Sequence, residues 1–371
     1  MASRAAIQRR DGWNPQARLP RARDLWSLER ARPNPRGGFA MYRLQLPAAA
    51  FAAAISLSTA NAQAPIERSP AKDAAAAAAV GRARAAAGDQ WSDTVEFFCG
   101  DSGRANRADD PVIAPTRVFD NLYALGRTST VIWAVTTPAG ILLIDAGYPD
   151  QLESVLLPGL RAAGLDPNDV KYVLLAHGHA DHFGGASYFQ ERGARVALSA
   201  ADWDLIEHPP APPAGAPTPA GAPPPSGLPP PHRDVVVTEG EPIVFGGLEI
   251  TPVLVPGHTP GSLGFVFAVQ DGGRAHTAAL FGGSILLSGR ISDDGLRQYV
   301  RSVEHFADVT SRRGVDVEIQ NHPLYDGFGA KLARLSRRAA GEKHPFVVGP
   351  DAYQRFLTVM AECGNAQLAR R

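Results

Sequence analysis

Short apolar runs alternate along this chain with amphipathic stretches and turn residues. Val131-Ile132-Trp133-Ala134-Val135 and Ile141-Leu142-Leu143-Ile144 flank the turn signal Pro138-Ala139-Gly140 and predict two strands. Residues 152–164 read as a helix. Tyr172–Ala176 then reads as a buried strand that runs into a histidine-rich segment, followed by a helix carrying Tyr188 and Phe189. Further strands are predicted over 243–255, 263–269, 277–282 and 315–319. A helix is predicted over 296–310, with Val300, Val303 and Ala307 on one face, and another over 350–370. Strands interleaved with helices predict a layered α/β domain built on mixed sheets. Domain-like composition starts at Trp91, so 91–371 reads as the folded domain.

Two segments break the pattern. Residues 209–231 hold twelve prolines in twenty-three positions, which excludes a helix or central strand and predicts a solvated surface-loop insertion. It falls between two groups of histidines, where it could overhang a pocket. Residues 63–90 are rich in alanine, with a six-alanine run at 74–79, and read as a spacer, either a frayed helix or disordered.

Charge changes the picture at the N-terminus. The formal net charge is zero, yet residues 1–62 carry ten arginines against Asp11, Asp24 and Glu29, a surplus of 10 − 3 = +7 that leaves −7 for the remainder. A net-acidic body offers no basic stripe, so nucleic acid is not an expected partner. The apolar run 44–57 follows Arg43 and ends near Ala60-Asn61-Ala62, the layout of a secretory signal peptide over 41–62 cleaved after Ala62. Gln45 and Pro47 interrupt a run already too short for a membrane anchor. Met41 stands immediately before it, which makes 1–40 read as an upstream extension ahead of the true start. The expectation is a periplasmic protein with no membrane attachment once the signal is removed. In that compartment the two cysteines, Cys99 and Cys363, are expected to pair as one disulfide.

The chemistry concentrates in His177-Gly178-His179-Ala180-Asp181-His182. Imidazole nitrogens and a carboxylate suit a borderline divalent ion such as zinc. In an extended loop, alternate side chains would bring His177, His179 and Asp181 to one side and leave His182 free to turn to a neighbouring site. Two more histidines follow strands: His258 in Pro256-Gly257-His258-Thr259-Pro260-Gly261-Ser262, and His322 in Asn321-His322-Pro323. Three strand ends could thus deliver histidines to one pocket. His208, His232, His276, His305 and His344 lack companion ligands and read as ordinary residues.

Together with Asp120-Asn121-Leu122-Tyr123 and Asp145, these motifs closely resemble the metallo-β-lactamase fold family over roughly residues 91–340. The resemblance implies a four-layer αββα sandwich with the metal site at one edge between two sheets. It also implies two Zn2+ ions, the first held by His177, His179 and His258 and the second by Asp181, His182 and His322. Spacing alone could not divide the six between two ions. Relatives that cleave thioesters, lactones or phosphodiesters carry a bridging aspartate where this chain reads Phe281-Gly282-Gly283-Ser284. The serine, together with Trp203 and Tyr325-Asp326, looks like the third subclass of zinc β-lactamases. That implies hydrolysis of a small-molecule β-lactam by a metal-bound hydroxide, with Asp181 as catalytic carboxylate and Ser284 contacting substrate. Gly283 and Leu286 depart from residues found in some members and put substrate preference in doubt. A same-fold zinc hydrolase of lactones, thioesters or phosphodiesters is the alternative. A purely structural or interaction module is disfavoured, because closed structural sites hold four protein ligands. A monomer is expected.

Overall fold

The computed structural model describes residues 69–100, 110–210, 228–286 and 291–371. Residues 1–62, read above as an extension and signal peptide, lie outside the described residues, as do 211–227 of the proline-rich insertion. Among the described residues no helix is long and apolar enough to cross a membrane.

Seven strands form the first sheet in chain order: β1 (Thr116–Phe119), β2 (Leu122–Gly126), β3 (Val131–Thr137), β4 (Gly140–Ile144), β5 (Val170–Leu174), β6 (Arg195–Ser199) and β7 (Val235–Val237). Pairing is antiparallel from β1 to β4 and parallel from β4 to β7. The second sheet runs in the order β12-β11-β10-β9-β8, with β8 (Ile243–Phe245), β9 (Leu248–Leu254), β10 (Leu263–Asp271), β11 (Arg274–Phe281) and β12 (Val317–Glu318). Only its β11–β12 pair is parallel.

Alternation along the strands divides the core. In β3, Val131, Trp133 and Val135 face the second sheet, where they meet Phe265, Phe267, Leu280 and Ile319. The intervening Ile132 and Ala134 face a helical layer. Both faces are therefore covered, which is why β3 reads as one unbroken apolar run. Trp133 is fully buried, and truncating it to alanine would cost about 3–5 kcal/mol.

Among the described residues nine α-helices complete the layers. On the first sheet lie α3 (Leu157–Ala162), the short α4 (Ala180–Phe183), α5 (Ala186–Gln190) and α6 (Ala200–Glu207), with Leu160, Phe189 and Trp203 in that layer's core. The second sheet is covered by α1 (Pro70–Ala87), α2 (Ser92–Cys99), α7 (Asp293–Arg312) and α9 (Pro350–Ala369). The remaining helix, α8 (Phe328–Leu335), puts Phe328 into the core between the sheets. The αββα sandwich expected from the motifs is thus the observed architecture. In α7, Ser292 caps the N-terminus by accepting from Gly295 N at 3.0 Å, and Leu296, Tyr299, Val300, Val303 and Phe306 form the buried stripe.

Two expectations need correction. Within the alanine-rich stretch expected as a spacer, Pro70–Ala87 form a docked helix: Ala76, Ala79, Ala83 and Ala87 recur at helical spacing and are all buried. Small side chains let α1 seat closely on α9, and Arg82 adds a bidentate pair to Glu362 at 2.8 Å on both nitrogens. The helix expected over 152–164 begins as a π-helical turn, Leu152–Leu156, before becoming α3. Cys99 at the end of α2 is bonded to Cys363 in α9, stapling the helical layer over the second sheet.

Candidate metal centre

Every side chain of the site leaves the carboxyl end of a strand. Asp145 follows β4, the histidine-rich segment follows β5, His258 follows β9, Ser284 follows β11 and His322 follows β12. The segment 177–182 is not extended throughout. It turns into α4 at Ala180, so Asp181 and His182 sit on one helical turn, and Asp181 groups with His177 and His182 rather than with His179. This corrects the expected grouping of His177, His179 and Asp181.

The structure gathers the six candidates into two groups that meet at His177. Donor atoms of His177, His179 and His258 all lie within 4.8 Å of one another, as do those of His177, Asp181 and His182. His258 Nε2 is 3.1 Å from His179 Nδ1. On the other side, His182 Nε2 is 3.0 Å from His322 Nε2 and 3.3 Å from Asp181 Oδ2, and His322 Nε2 is 3.5 Å from the same oxygen. Donors on a tetrahedral zinc with bonds of about 2.0–2.1 Å stand roughly 3.3 Å apart, so this triangle has the size of a metal shell.

Hydrogen bonding fixes which nitrogens are free to coordinate. His258 Nδ1 donates to Ile285 O at 2.8 Å, and His322 Nδ1 donates to Ser129 O at 2.6 Å. A carbonyl only accepts, so each Nδ1 carries the proton and each Nε2 presents a lone pair. His182 Nδ1 lies 2.7 Å from Asp145 Oδ2. Two Nε2 atoms 3.0 Å apart need a proton or a metal ion between them. His177 is fully buried, and neither ring nitrogen has a hydrogen-bond partner. A buried imidazole without partners is costly unless a metal takes a lone pair. The residues present therefore fit a metal.

The electrostatics agree. Burial first, then the neighbouring His182, His258, His179 and His322, hold His177 well below its ordinary value. Burial and the adjacent His179, His322 and His182 push His258 down to about 3, and burial with His182 lowers His322. Burial also works against a charged His182, but Asp145 and Asp181 outweigh it and raise His182 to about 10. Asp181 is held well below the usual carboxylate range: burial opposes this, and His182, His322 and His179 overcome it. One proton on His182 thus does in the metal-free pocket what a divalent ion would do better.

The surroundings are stiff. Asp145 is fully buried, takes a left-handed backbone (φ 66°), and accepts from Ala176 N at 2.8 Å and Asn321 Nδ2 at 3.2 Å. The His322 loop is fastened to β3, where Val131 N donates to Asn321 O at 2.8 Å and Trp133 Nε1 to Gln320 O at 3.0 Å. Gly257 (φ 142°) lets the His258 loop press on α7, where a Cβ would fall 2.6 Å from Tyr299 Cα.

Ser284, just past the end of β11, is buried. It has no exposed surface; its hydroxyl accepts from Tyr325 Oη at 2.6 Å and its carbonyl accepts from Tyr299 Oη at 3.0 Å. The serine hydroxyl is thus engaged by Tyr325. Trp203, fully buried, donates to Val235 O at 2.9 Å and serves the helical layer. The motifs named Asp145 only as a landmark. An acid closing the apolar run 141–144 was the signal for its role as the His182 partner.

A profile of the metallo-β-lactamase superfamily matches residues 124–346, more than half the chain and all six candidate ligands. The chain belongs to that superfamily. It is a hydrolase of the superfamily, and its fold with this donor set implies metal binding. An acyl-coenzyme A thioesterase of Gallus gallus is 28% identical over 240 residues, covering 59% of this chain and 80% of that protein. A hydroxyacylglutathione hydrolase of Cereibacter sphaeroides is 34% identical over 106 residues, or 28% of this chain and only 31% of that enzyme. Among solved structures, a subclass B3 metallo-β-lactamase of Bradyrhizobium japonicum superimposes with a TM-score of 0.54 at 24% identity. That match covers 66% of this chain and 89% of the other. A metallo-β-lactamase of Legionella gormanii gives 0.54 at 21% identity over 67% and 92%. These two likenesses speak to the fold.

Proposed function

We propose that the chain is an exported, two-zinc β-lactam hydrolase conferring antibiotic resistance. The first ion is held by His177, His179 and His258 and the second by Asp181, His182 and His322. The observation that carries the reading is the donor set itself: five histidines and one carboxylate, with Ser284 rather than an aspartate where thioester- and phosphodiester-cleaving relatives bridge their metals. Each triad leaves positions open for water and substrate, as hydrolytic zinc requires. The structural likeness to B3 enzymes and the signal-like segment 41–62 support the same reading.

Bound zinc would supply a hydroxide at neutral pH, by bringing the pKa of water to roughly 7, and a Lewis acid for the carbonyl. The chain's own residues set up the rest. Asp181 stays ionised throughout the working range, so it can accept a hydrogen bond from an attacking water and orient it. His258 and His322 are locked in the tautomer that presents Nε2, so no proton competes for those nitrogens. Asp145 fixes the His182 ring by accepting the hydrogen bond of its Nδ1–H. No protein nucleophile is needed, and Ser284, capped by Tyr325, is unsuited to be one.

A thioester is the second reading, favoured by the two curated relatives, both named for thioester substrates. Purified zinc-loaded protein assayed against nitrocefin, a carbapenem, an acyl-coenzyme A and a glutathione thioester separates the two. β-Lactam turnover that a chelator abolishes supports the proposal. Turnover of thioesters alone, with none of any β-lactam, overturns it.

A further inference from the structure

The two loops that carry the first histidine group are joined by a carboxylate belonging to neither. Asp202, in the first turn of α6, is fully buried. Its Oδ2 accepts from Gly178 N at 2.7 Å and from Thr259 Oγ1 at 2.6 Å, and its Oδ1 accepts from Gly261 N at 2.7 Å. Gly178 separates His177 from His179, and Thr259 follows His258. One side chain therefore grips the backbone of the β5–α4 loop and of the β9–β10 loop together.

We propose that Asp202 is the positioning residue that sets the separation between the His177/His179 loop and the His258 loop, and so the size of the first metal triad. The inference rests on the two-metal reading above. The close fit around Asp202 serves the same end. Ser199 caps α6 by accepting from Asp202 N at 3.3 Å and donates to Gly261 O at 2.6 Å. A Cβ on Gly261 would stand 2.0 Å from Ser199 Oγ and 2.7 Å from Asp202 N, and one on Gly178 would stand 2.9 Å from Asp202 O. Both loops approach the start of α6 closer than any side chain would allow. Only a carboxylate satisfies the arrangement, because both oxygens receive backbone N–H groups. In Asp202→Asn the amide must point its own N–H groups at Gly178 or at Gly261, and whichever loop it faces is released. Asp202 holds the two loops through Gly178 N, Gly261 N and the Thr259 hydroxyl rather than through the ligand side chains themselves.

Cobalt(II) titration of metal-free protein, with a competing chelator, tests this on wild type, Asp202→Asn and Thr259→Val. Visible d–d bands report the site geometry, and melting of the metal-free forms reports folding. Asp202→Asn should weaken one of two cobalt sites roughly 10- to 100-fold with an altered spectrum and spare the other. Thr259→Val removes one contact from the same carboxylate, so it should give a smaller loss at the same site with a near wild-type melting temperature. It remains informative if Asp202→Asn fails to fold. Folded variants that bind two equivalents with wild-type affinity and spectrum overturn the inference, as does equal weakening of both sites. Wild type that takes up no cobalt overturns the two-metal reading and this inference with it. Wild type binding two equivalents beside an unaltered variant overturns this inference alone.

Discussion

Asp145 and His182 meet at 2.7 Å with neither side chain exposed, and Asp145 is the one non-glycine residue with positive φ among the described residues. A left-handed aspartate at a strand end costs backbone energy that the three partners of its side chain must outweigh. Asparagine tolerates the same backbone, so Asp145→Asn probes charge rather than strain. The neutral amide cannot accept from Ala176, Asn321 and His182 at once, and it no longer holds the His182 proton electrostatically. Metal affinity or turnover should fall roughly 10- to 100-fold, read from metal content after dialysis and from kcat. Undiminished zinc content and rate would remove Asp145 from the second site.

His182 and His322 bring their Nε2 atoms to 3.0 Å, an arrangement that needs either a proton on His182 or a metal between them. Metal bound only by the folded state stabilises it by about 2.7 kcal/mol when its concentration is a hundred times Kd. For a domain of this size, that corresponds to a rise in Tm of roughly 5–10 °C. Chelation should lower Tm by that amount, and zinc should restore it where magnesium does not, since imidazole nitrogens suit the former. A Tm indifferent to chelator would mean that the six residues hold no ion.

Much of this was written in the chain, and the reasons why differ by element. Central strands such as β3 and β4 were legible because they are buried on both faces and read as bare apolar runs, whereas the short, partly exposed β1 and β7 were not. The ligands were legible because histidines cluster at strand ends. Helix α1 was not, because alanine carries no amphipathic signal; only its docking on α9 shows that Ala76, Ala79, Ala83 and Ala87 form a contact stripe. The division of ligands was hidden because a single helical turn at Ala180 redirects Asp181 and His182. Asp202 was hidden for a third reason. Its partners Gly178, Thr259 and Gly261 are loop residues whose proximity only the tertiary fold creates.

The Cys99–Cys363 bond closes a loop of sequence separation 264 and ties α2 to α9, far from the histidines along the chain. Arg370 donates to Cys99 O at 3.1 and 3.0 Å, so the junction is also hydrogen-bonded. Removing the bond should cost about 2–5 kcal/mol. Cys363→Ser should therefore lower Tm markedly and leave the metal content of the surviving folded protein unchanged. Loss of metal in step with the disulfide would show that the helical layer governs the site.

Behind the His322 loop, a second buried cluster predicts an alkaline weakness. Lys331 Nζ contacts Glu318 Oε2 and lies 3.0 Å from Asp326 Oδ2, so one ammonium serves two buried carboxylates. Glu318 has no exposed surface, and its Oε1 meets no hydrogen-bond donor. Burial, with repulsion from Asp326, pushes Glu318 up to about 8 against the pull of Lys331, from an ordinary value of 4.5. The folded state therefore keeps a proton that the unfolded chain releases between those two values. The stabilising contribution is complete below the unfolded value and is lost as pH rises toward about 8, at roughly 1.4 kcal/mol per pH unit for one proton. Glu318→Gln keeps the shape and does not titrate. Its stability, relative to wild type, should improve steadily from pH 6 to 8 in denaturant melts and level off above that. Parallel curves for the two proteins across this range would place the proton elsewhere in the cluster.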